Sequence, residues 1–243
     1  MPPTRPAPGS DPDPALYDSL DGQVALVTGA NRGIGAEIAR RLADRGATVF
    51  AGARRRDATV PDGCERVTLD VTQEGDIEAA VTTVGETAGR LDVLANNPGV
   101  GRFDDPLHEE PTPTVDRTLS VSLRGQTLLS KYALPPLLER DGGRIVNVSS
   151  GMGVVGEDQS GGAPSYRISK TGLNGLTAYL HGEYADDGLL ANAVCPGWVA
   201  TEMGGEEAPR TPEEGAATPV WLARLRPDTV AGPPGAAPPP AGR

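Results

Sequence analysis

The sequence predicts an α/β fold in which helices cover both faces of one parallel β-sheet. Short apolar runs rich in β-branched residues alternate with longer segments whose apolar residues recur at helical spacing. The short runs are apolar on both sides, as strands buried on both faces are. The 243 residues suffice for one large domain or two small ones, and no internal repeat divides the chain.

The first strand and helix illustrate the pattern. QVALVT (23–28) is apolar and β-branched and ends at a glycine, whereas the segment 34–46 has apolar residues at helical spacing and closes at Gly46. Further strands are expected at 47–53, 65–71, 91–97, 143–150 and 189–195, and helices at 73–89, 113–139, 164–187 and from about 212. Such an order builds a doubly wound sheet, in which ligands bind beyond the carboxyl ends of the strands.

The distribution of proline predicts the boundaries of the domain, and the net charge excludes some classes of partner. Residues 1–14 hold six prolines and residues 227–243 hold six more, so we expect disordered ends at 1–20 and 227–243 around a domain at 21–226. The net charge of −11 argues against nucleic acid and anionic membrane as partners. Two cysteines without a CxxC motif, no metal-ligand spacing and no apolar leader favour a metal-free cytoplasmic protein.

A glycine-rich loop, TGANRGIG (28–35), joins the first strand to the first helix. Glycines at this junction allow a tight turn and let backbone N–H groups approach a pyrophosphate at the helix N-terminus. The spacing is GxxxGxG rather than GxGxxG, and a glycine-rich turn without a ligand is the alternative. The position between strand and helix favours phosphate binding.

The end of the second strand bears on cofactor choice. An acidic residue there would bind the ribose 2′-OH of NAD, whereas an arginine accommodates the 2′-phosphate of NADP. The sequence has no acid in AGARRR (51–56), and Arg54 lies 19 positions after Gly35. Arg32 could reach the same phosphate, since guanidinium groups bind phosphate bidentately. The arginines therefore favour NADP(H). The alternative is that they only face solvent and bind no phosphate, in which case the cofactor is NAD(H).

Tyr166 and Lys170 lie four residues apart, on one face of the helix predicted at 164–187. A cation about 4 Å from the phenol is worth roughly 4 kcal/mol, near three pKa units, which would bring tyrosine toward neutrality for acid–base work. Taken alone, such a pair occurs by chance on many helices. Ser150, which ends the fifth strand, is expected at the same edge of the sheet. Its presence there favours an active site over a chance pairing of Tyr166 and Lys170.

Six motifs together resemble the short-chain dehydrogenase/reductase family. They are TGANRGIG, LDV (69–71), NNPG (96–99), NVSS (147–150), YRISK (166–170) and CPGWVAT (195–201), and they cover about residues 22–224. The resemblance implies a Rossmann-type domain that binds a nicotinamide cofactor, and the chain is most similar to the carbonyl-reductase-like members.

The resemblance also assigns roles to residues. Ser150 would hold the substrate oxygen, Tyr166 would pass the proton, and Lys170 would bind the nicotinamide ribose and lower the pKa of the tyrosine. The remaining cofactor contacts that it implies are Gly29, Arg32, Gly33, Ile34 and Gly35 at the phosphates, Asp70 and Val71 at the adenine, Asn96 and Asn97 near the ribose, and Val199 and Thr201 at the carboxamide.

Three features depart from the family pattern. Ser122 stands where an asparagine usually supports a water for proton relay to the lysine, so slower turnover is expected. Pro98 replaces the alanine of NNAG and removes a backbone N–H, which strains the cofactor floor only if that N–H would pair with a strand. The proline-rich tail leaves the usual last strand lost or reduced to a fragment near residues 229–230.

The leading functional hypothesis is an NADPH-dependent oxidoreductase that reduces an aldehyde or ketone to an alcohol, reversibly, with Ser150, Tyr166 and Lys170 as its site. Two alternatives stay open: an NADP(H)-binding protein with little or no catalysis, and an NAD-dependent alcohol dehydrogenase. The expected partner is a small carbonyl or alcohol, and a homo-oligomer is left open.

Overall fold

A computed structural model describes residues 14–139, 142–156 and 160–226. Its six strands form one parallel sheet in the order β3-β2-β1-β4-β5-β6. The strands are β1 (Val24–Thr28), β2 (Thr48–Ala53), β3 (Cys64–Thr68), β4 (Val93–Asn96), β5 (Arg144–Val148) and β6 (Leu190–Val194). The predicted fold class is thereby confirmed. The fragment expected near residues 229–230 and most of both predicted disordered ends lie outside the described residues.

Helices cover both faces of the sheet. They are α1 (Gly33–Ala43), α2 (Glu74–Ala88), α3 (Thr112–Leu119), α4 (Gly125–Leu138), α5 (Pro164–Tyr184) and α6 (Pro212–Ala223). Successive side chains of β1 point to opposite faces: Ala25 and Val27 pack with α1 and α6, whereas Val24 and Leu26 pack with α2, α4 and α5. No helix in the described ranges combines the length and apolar character needed to cross a membrane.

The long helix predicted at 113–139 is divided into two. A π-helical turn over Ser120–Arg124 separates α3 from α4, and such wide turns redirect side chains at a helix surface. This turn places Ser122, which is fully buried, against the backbone of Val100. At Gly125 a Cβ atom would lie 2.6 Å from the Val71 carbonyl oxygen, so only glycine lets the helix approach the end of β3 this closely.

The chain packs against the domain earlier than the boundary predicted at residue 21. The Tyr17 N–H donates to the Arg224 carbonyl at 2.8 Å, and Leu16 forms an antiparallel bridge with Leu225. Leu20 is fully buried in the core beside α1 and α6. The first described residues therefore close the edge of the core on which α6 ends.

Candidate active site

The glycine loop turns sharply between β1 and α1. Gly29 and Gly33 have φ angles of 63° and 55°, in the left-handed region that side chains rarely adopt. Arg32 stands at the N-cap of α1 without a side-chain cap, so no cap occupies the N–H groups of the first helical turn, which lies at the crevice beyond the carboxyl ends of the strands. A helix N-terminus with free donors suits an anionic group.

Gly35 packs against the start of its own loop and against the NNPG loop. A Cβ atom there would overlap the Gly29 carbonyl and lie 2.6 Å from the Nδ2 atom of Asn97. The Asn97 side chain in turn donates to the Thr28 carbonyl at 3.1 Å, and its backbone N–H donates to the Thr28 hydroxyl at 3.1 Å. The ends of β1 and β4 are thus locked together, and their glycine backbone forms a cradle that fits a dinucleotide pyrophosphate.

The two arginines predicted at the 2′-phosphate differ in their contacts. Arg54 directly follows β2, is exposed, and makes no hydrogen bond or ion pair with the described residues. Arg55 beside it is paired with Asp57 at 2.6 Å. Arg32 forms an ion pair with Glu202, which lies in the loop after β6 and which no sequence motif singled out.

Three further predicted cofactor residues, Asp70, Val71 and Ile34, are held by contacts within the protein. Val71 is buried, and the Asp70 carboxylate accepts from the Thr72 N–H at 2.9 Å and from its hydroxyl at 2.7 Å. Ile34 packs its side chain against the core shared by α1 and α6. The Asp70 N–H donates to the Asp76 carboxylate at 3.3 Å, so Asp70 is held in place on both its main chain and its side chain.

Asn96 is a correction to the sequence prediction. Its side chain is fully buried and donates to the Oδ1 atom of Asn147 at 2.9 Å and to the Ser130 hydroxyl at 3.2 Å. It ties β4 to β5 and α4 below the crevice and does not line a ribose site. Neighbouring residues of a strand point to opposite faces, so one asparagine of the pair faces the interior.

The NNPG loop is held by α4 and by the π-helical turn. Pro98 lies beyond the end of β4, so its missing N–H removes no bond from the sheet, and its carbonyl accepts from the Nε2 atom of Gln126 at 2.5 Å. The Ser122 hydroxyl accepts from the Val100 N–H at 3.0 Å and donates to its carbonyl at 3.1 Å. Ser122 therefore positions this loop and makes no bond to Lys170; Gln126, which the sequence did not flag, assists it.

Ser150 and Tyr166 meet at the carboxyl end of β5. The Ser150 side chain lies beside the Tyr166 hydroxyl, where it acts to lower the pKa of the phenol, and Ser150 caps a short 3₁₀ turn by accepting from the Met152 N–H at 3.2 Å. The tyrosine ring is buried, and Phe103 packs edge-on at 5.2 Å between centroids. The structure therefore brings Ser150 and Tyr166 together, and Phe103 packs against the tyrosine ring.

The first turn of α5 is anchored from a distant segment. Glu110, a buried carboxylate, accepts from the Ser165 hydroxyl at 2.5 Å and from its backbone N–H at 3.2 Å. Ala163 at the N-cap has a φ angle of 58°, unusual for a residue with a side chain, and cannot cap the helix itself. Glu110 supplies that cap directly before Tyr166.

Lys170 is buried behind the tyrosine. Its Nζ atom donates to the Val148 carbonyl at 2.7 Å and lies 5.6 Å from the centroid of the Tyr166 ring. Burial lowers the pKa of Lys170 to about 8. Burial raises the pKa of Tyr166, and the neighbouring Ser150 side chain opposes that shift only in part. The predicted lowering of the tyrosine pKa is thus absent from this structure, because desolvation is the larger effect.

The pKa of Lys170 leads to a prediction with a definite sign. In the unfolded chain its pKa returns to about 10.5, so between pH 8 and pH 10.5 the unfolded chain binds more protons than the folded protein. We expect wild-type stability to rise across this window, relative to a Lys170→Met variant, by up to about 3 kcal/mol. Urea unfolding of both proteins at each end of the window measures this difference.

The comparison with Lys170→Met cancels the other groups that titrate in this window, such as Cys64, whose pKa burial raises to about 11. A wild-type protein that loses stability relative to the variant as the pH rises would contradict the assignment. Equal pH dependence of the two proteins would do the same.

The loop after β6 closes the crevice from the other side. Val199 is buried, and the Thr201 hydroxyl accepts from the Gly204 N–H at 3.2 Å. The thiol of Cys195 accepts from the Gly151 N–H at 3.1 Å, which joins the end of β6 to the turn after Ser150. Trp198 is 57 % exposed at this rim. In the described part of the chain no cluster of His, Cys, Asp or Glu could hold a metal ion.

Comparison with known proteins places this arrangement in context. Residues 23–211 match the family model described as short chain dehydrogenase. An uncharacterized oxidoreductase of Thermotoga maritima is 37% identical over 209 residues, 81% of this chain and 80% of that protein. A 3-oxoacyl-[acyl-carrier-protein] reductase of Vibrio harveyi is 34% identical over 191 residues, 76% of this chain and 77% of that protein.

Two further matches are informative. A cis-4-hydroxycyclohexanecarboxylate dehydrogenase of Sinomonas cyclohexanicum is 38% identical over 189 residues, 74% of this chain and 75% of that protein. The crystal structure of a dehydrogenase/reductase from Sinorhizobium meliloti superposes with a TM-score of 0.78 at 29% identity, covering 89% of this chain and 93% of that one. The sequence comparison and the fold comparison therefore both match this chain to dehydrogenases and reductases.

Proposed function

The chain belongs to the short-chain dehydrogenase/reductase family of oxidoreductases, and we propose that it uses NADPH to reduce an aldehyde or ketone to an alcohol, reversibly. The observation that supports this most directly is the placement of Tyr166 beside Ser150 at the carboxyl end of β5. A proton donor and a second hydroxyl thus stand together at the edge where doubly wound sheets bind their ligands.

The substrate class is supported by the relatives. One is named as a 3-oxoacyl reductase and another as a hydroxycyclohexanecarboxylate dehydrogenase, and these names place an oxo or a hydroxyl group on the compound. A site built around a phenol and a serine hydroxyl suits such an oxygen, because both groups can donate a hydrogen bond to it. We propose a small carbonyl compound as the substrate and the cytoplasm as the compartment.

In the proposed reaction Ser150 and Tyr166 act on the carbonyl oxygen, and Lys170 acts on the cofactor. When bound, the nicotinamide supplies the hydride for the carbonyl carbon. Ser150 donates a hydrogen bond to the carbonyl oxygen, and Tyr166 gives that oxygen its proton. The neutral phenol is the proton-donating form of Tyr166, which the direction of reduction requires. Lys170 holds the nicotinamide ribose.

The cofactor assignment rests on the end of β2. The described residues leave the guanidinium of Arg54 without a partner, and no acidic side chain directly follows this strand to accept a ribose hydroxyl. We propose that Arg54 binds the 2′-phosphate of NADPH, while the main chain of Gly29, Gly33, Ile34 and Gly35 surrounds the pyrophosphate. Asn97 and Thr201 border the nicotinamide half of the crevice.

Arg54→Ala tests the cofactor assignment. The variant should bind NADPH about 10- to 100-fold more weakly, the usual range for a lost charge-assisted hydrogen bond, and should bind NADH as the wild type does. Titration of each cofactor against protein fluorescence gives both dissociation constants. Arg55→Ala is the matched control, since Asp57 already holds that neighbouring arginine. Equal weakening of both cofactors by Arg54→Ala would refute the assignment.

A further inference from the structure

The ion pair between Arg32 and Glu202 joins the glycine loop to the loop after β6. Arg32 is 62% exposed and Glu202 is 71% exposed, so neither side chain is held in place by burial. At the N-cap of α1, Arg32 makes no capping hydrogen bond that would fix it. Its guanidinium can therefore exchange the carboxylate for another anion at little structural cost.

The loop that bears Glu202 is seated on the crevice and does not extend into solvent. Next to Glu202, the Cγ2 atom of Thr201 lies 3.1 Å from where a Cβ atom on Gly33 would be. On its other side, the Cε atom of Met203 lies 3.7 Å from the corresponding position on Gly99. The Glu202 carboxylate is thus kept next to the cofactor cradle by its neighbours in sequence.

We propose that Glu202 is a specificity-determining residue, which competes with the 2′-phosphate of the cofactor for Arg32. The inference rests on the proposed use of NADPH. A carboxylate and a phosphate are alternative partners for one planar guanidinium. A cofactor without the 2′-phosphate has no need of Arg32, so the ion pair lowers the affinity for NADPH and leaves that for NADH unchanged.

The two arginines then have separate roles. Arg54 has no competing carboxylate among the described residues and serves as the constant phosphate anchor. Arg32 can bind the 2′-phosphate only after its ion pair with Glu202 is broken. The preference of the enzyme for NADPH over NADH is accordingly smaller than two free arginines would produce.

Glu202→Gln tests this proposal, with the dissociation constants of NADPH and NADH as the readout. We expect NADPH to bind about two- to fivefold more tightly, the range for an exposed ion pair, and NADH to bind as before. In an Arg32→Ala background, Glu202→Gln should no longer affect NADPH. Glu206→Gln is the control, because Glu206 is an exposed carboxylate of the same loop without an ion pair among the described residues.

Three results would overturn the proposal. Unchanged NADPH affinity in Glu202→Gln would show that no competition exists. Equal tightening of NADPH and NADH would mean that Glu202 merely repels the pyrophosphate. An effect that persists in the Arg32→Ala background would assign it to another group. If Arg54→Ala also fails to separate the two cofactors, the proposed function falls with the inference; if Arg54→Ala separates them, only the inference falls.

Discussion

Replacing Tyr166 by phenylalanine should lower the turnover of carbonyl substrates with NADPH by about 10²- to 10⁴-fold, the usual contribution of a general acid. The change removes only the hydroxyl that lies beside Ser150. The ring keeps its edge contact with Phe103 and its place in the core. NADPH absorbance, followed against a panel of aldehydes and ketones, measures the effect.

The matched control for Tyr166→Phe is Tyr179→Phe. Tyr179 lies on the same helix but is 57 % exposed and far along the chain from Ser150, so this variant should turn over like the wild type. Binding of NADPH to Tyr166→Phe should also persist, because the cradle lies at the ends of β1 and β4. Equal turnover by Tyr166→Phe and the wild type would reject the tyrosine as the proton donor.

Gly35→Ala should weaken cofactor binding and destabilise the domain. The added methyl group would overlap the Gly29 carbonyl and crowd the Asn97 amide, and overpacking of this kind costs about 1–3 kcal/mol. Displacement of the glycine loop should weaken cofactor binding at least about tenfold, equivalent to ~1.4 kcal/mol. Cofactor titration and the urea midpoint give the two quantities.

Gly85→Ala serves as the control for Gly35→Ala. Gly85 lies within α2, and a Cβ atom there would meet nothing within 4 Å. Alanine at such a helix position should raise stability by up to about 1 kcal/mol and leave cofactor affinity unchanged. If Gly35→Ala bound the cofactor as tightly as Gly85→Ala does, the glycine loop would not be the pyrophosphate cradle.

Local pattern was enough to predict the framework of this protein. Apolar periodicity located all six strands, with differences at their ends, because five of them are almost wholly buried and their composition records that burial; the edge strand β3 has Glu65 and Arg66 exposed. The position of TGANRGIG between a strand and a helix indicated a tight turn, and Gly29 and Gly33 do have positive φ angles. Motif order likewise identified the family that the comparisons confirm.

Local sequence patterns did not predict the contacts between segments that lie far apart in the chain. Asn96 and Asn97 are adjacent and chemically identical, yet one is sealed between β5 and α4 and the other borders the crevice. Glu110 caps the helix of Tyr166 from 55 residues away, and Glu202 reaches Arg32 across the crevice. No spacing rule relates residues whose proximity is created by the sheet order.

The parallel sheet, the glycine loop and the family follow from periodicity and from residue type at short range, and the same patterns predict Ser150, Tyr166 and Lys170 as the site. The surroundings of these three residues follow only from the packing of distant segments. This packing placed Lys170 against the Val148 carbonyl, and it made burial the dominant influence on the pKa of Tyr166. Desolvation depends on every element packed around a group, and that environment exists only after the sheet and its helices have assembled.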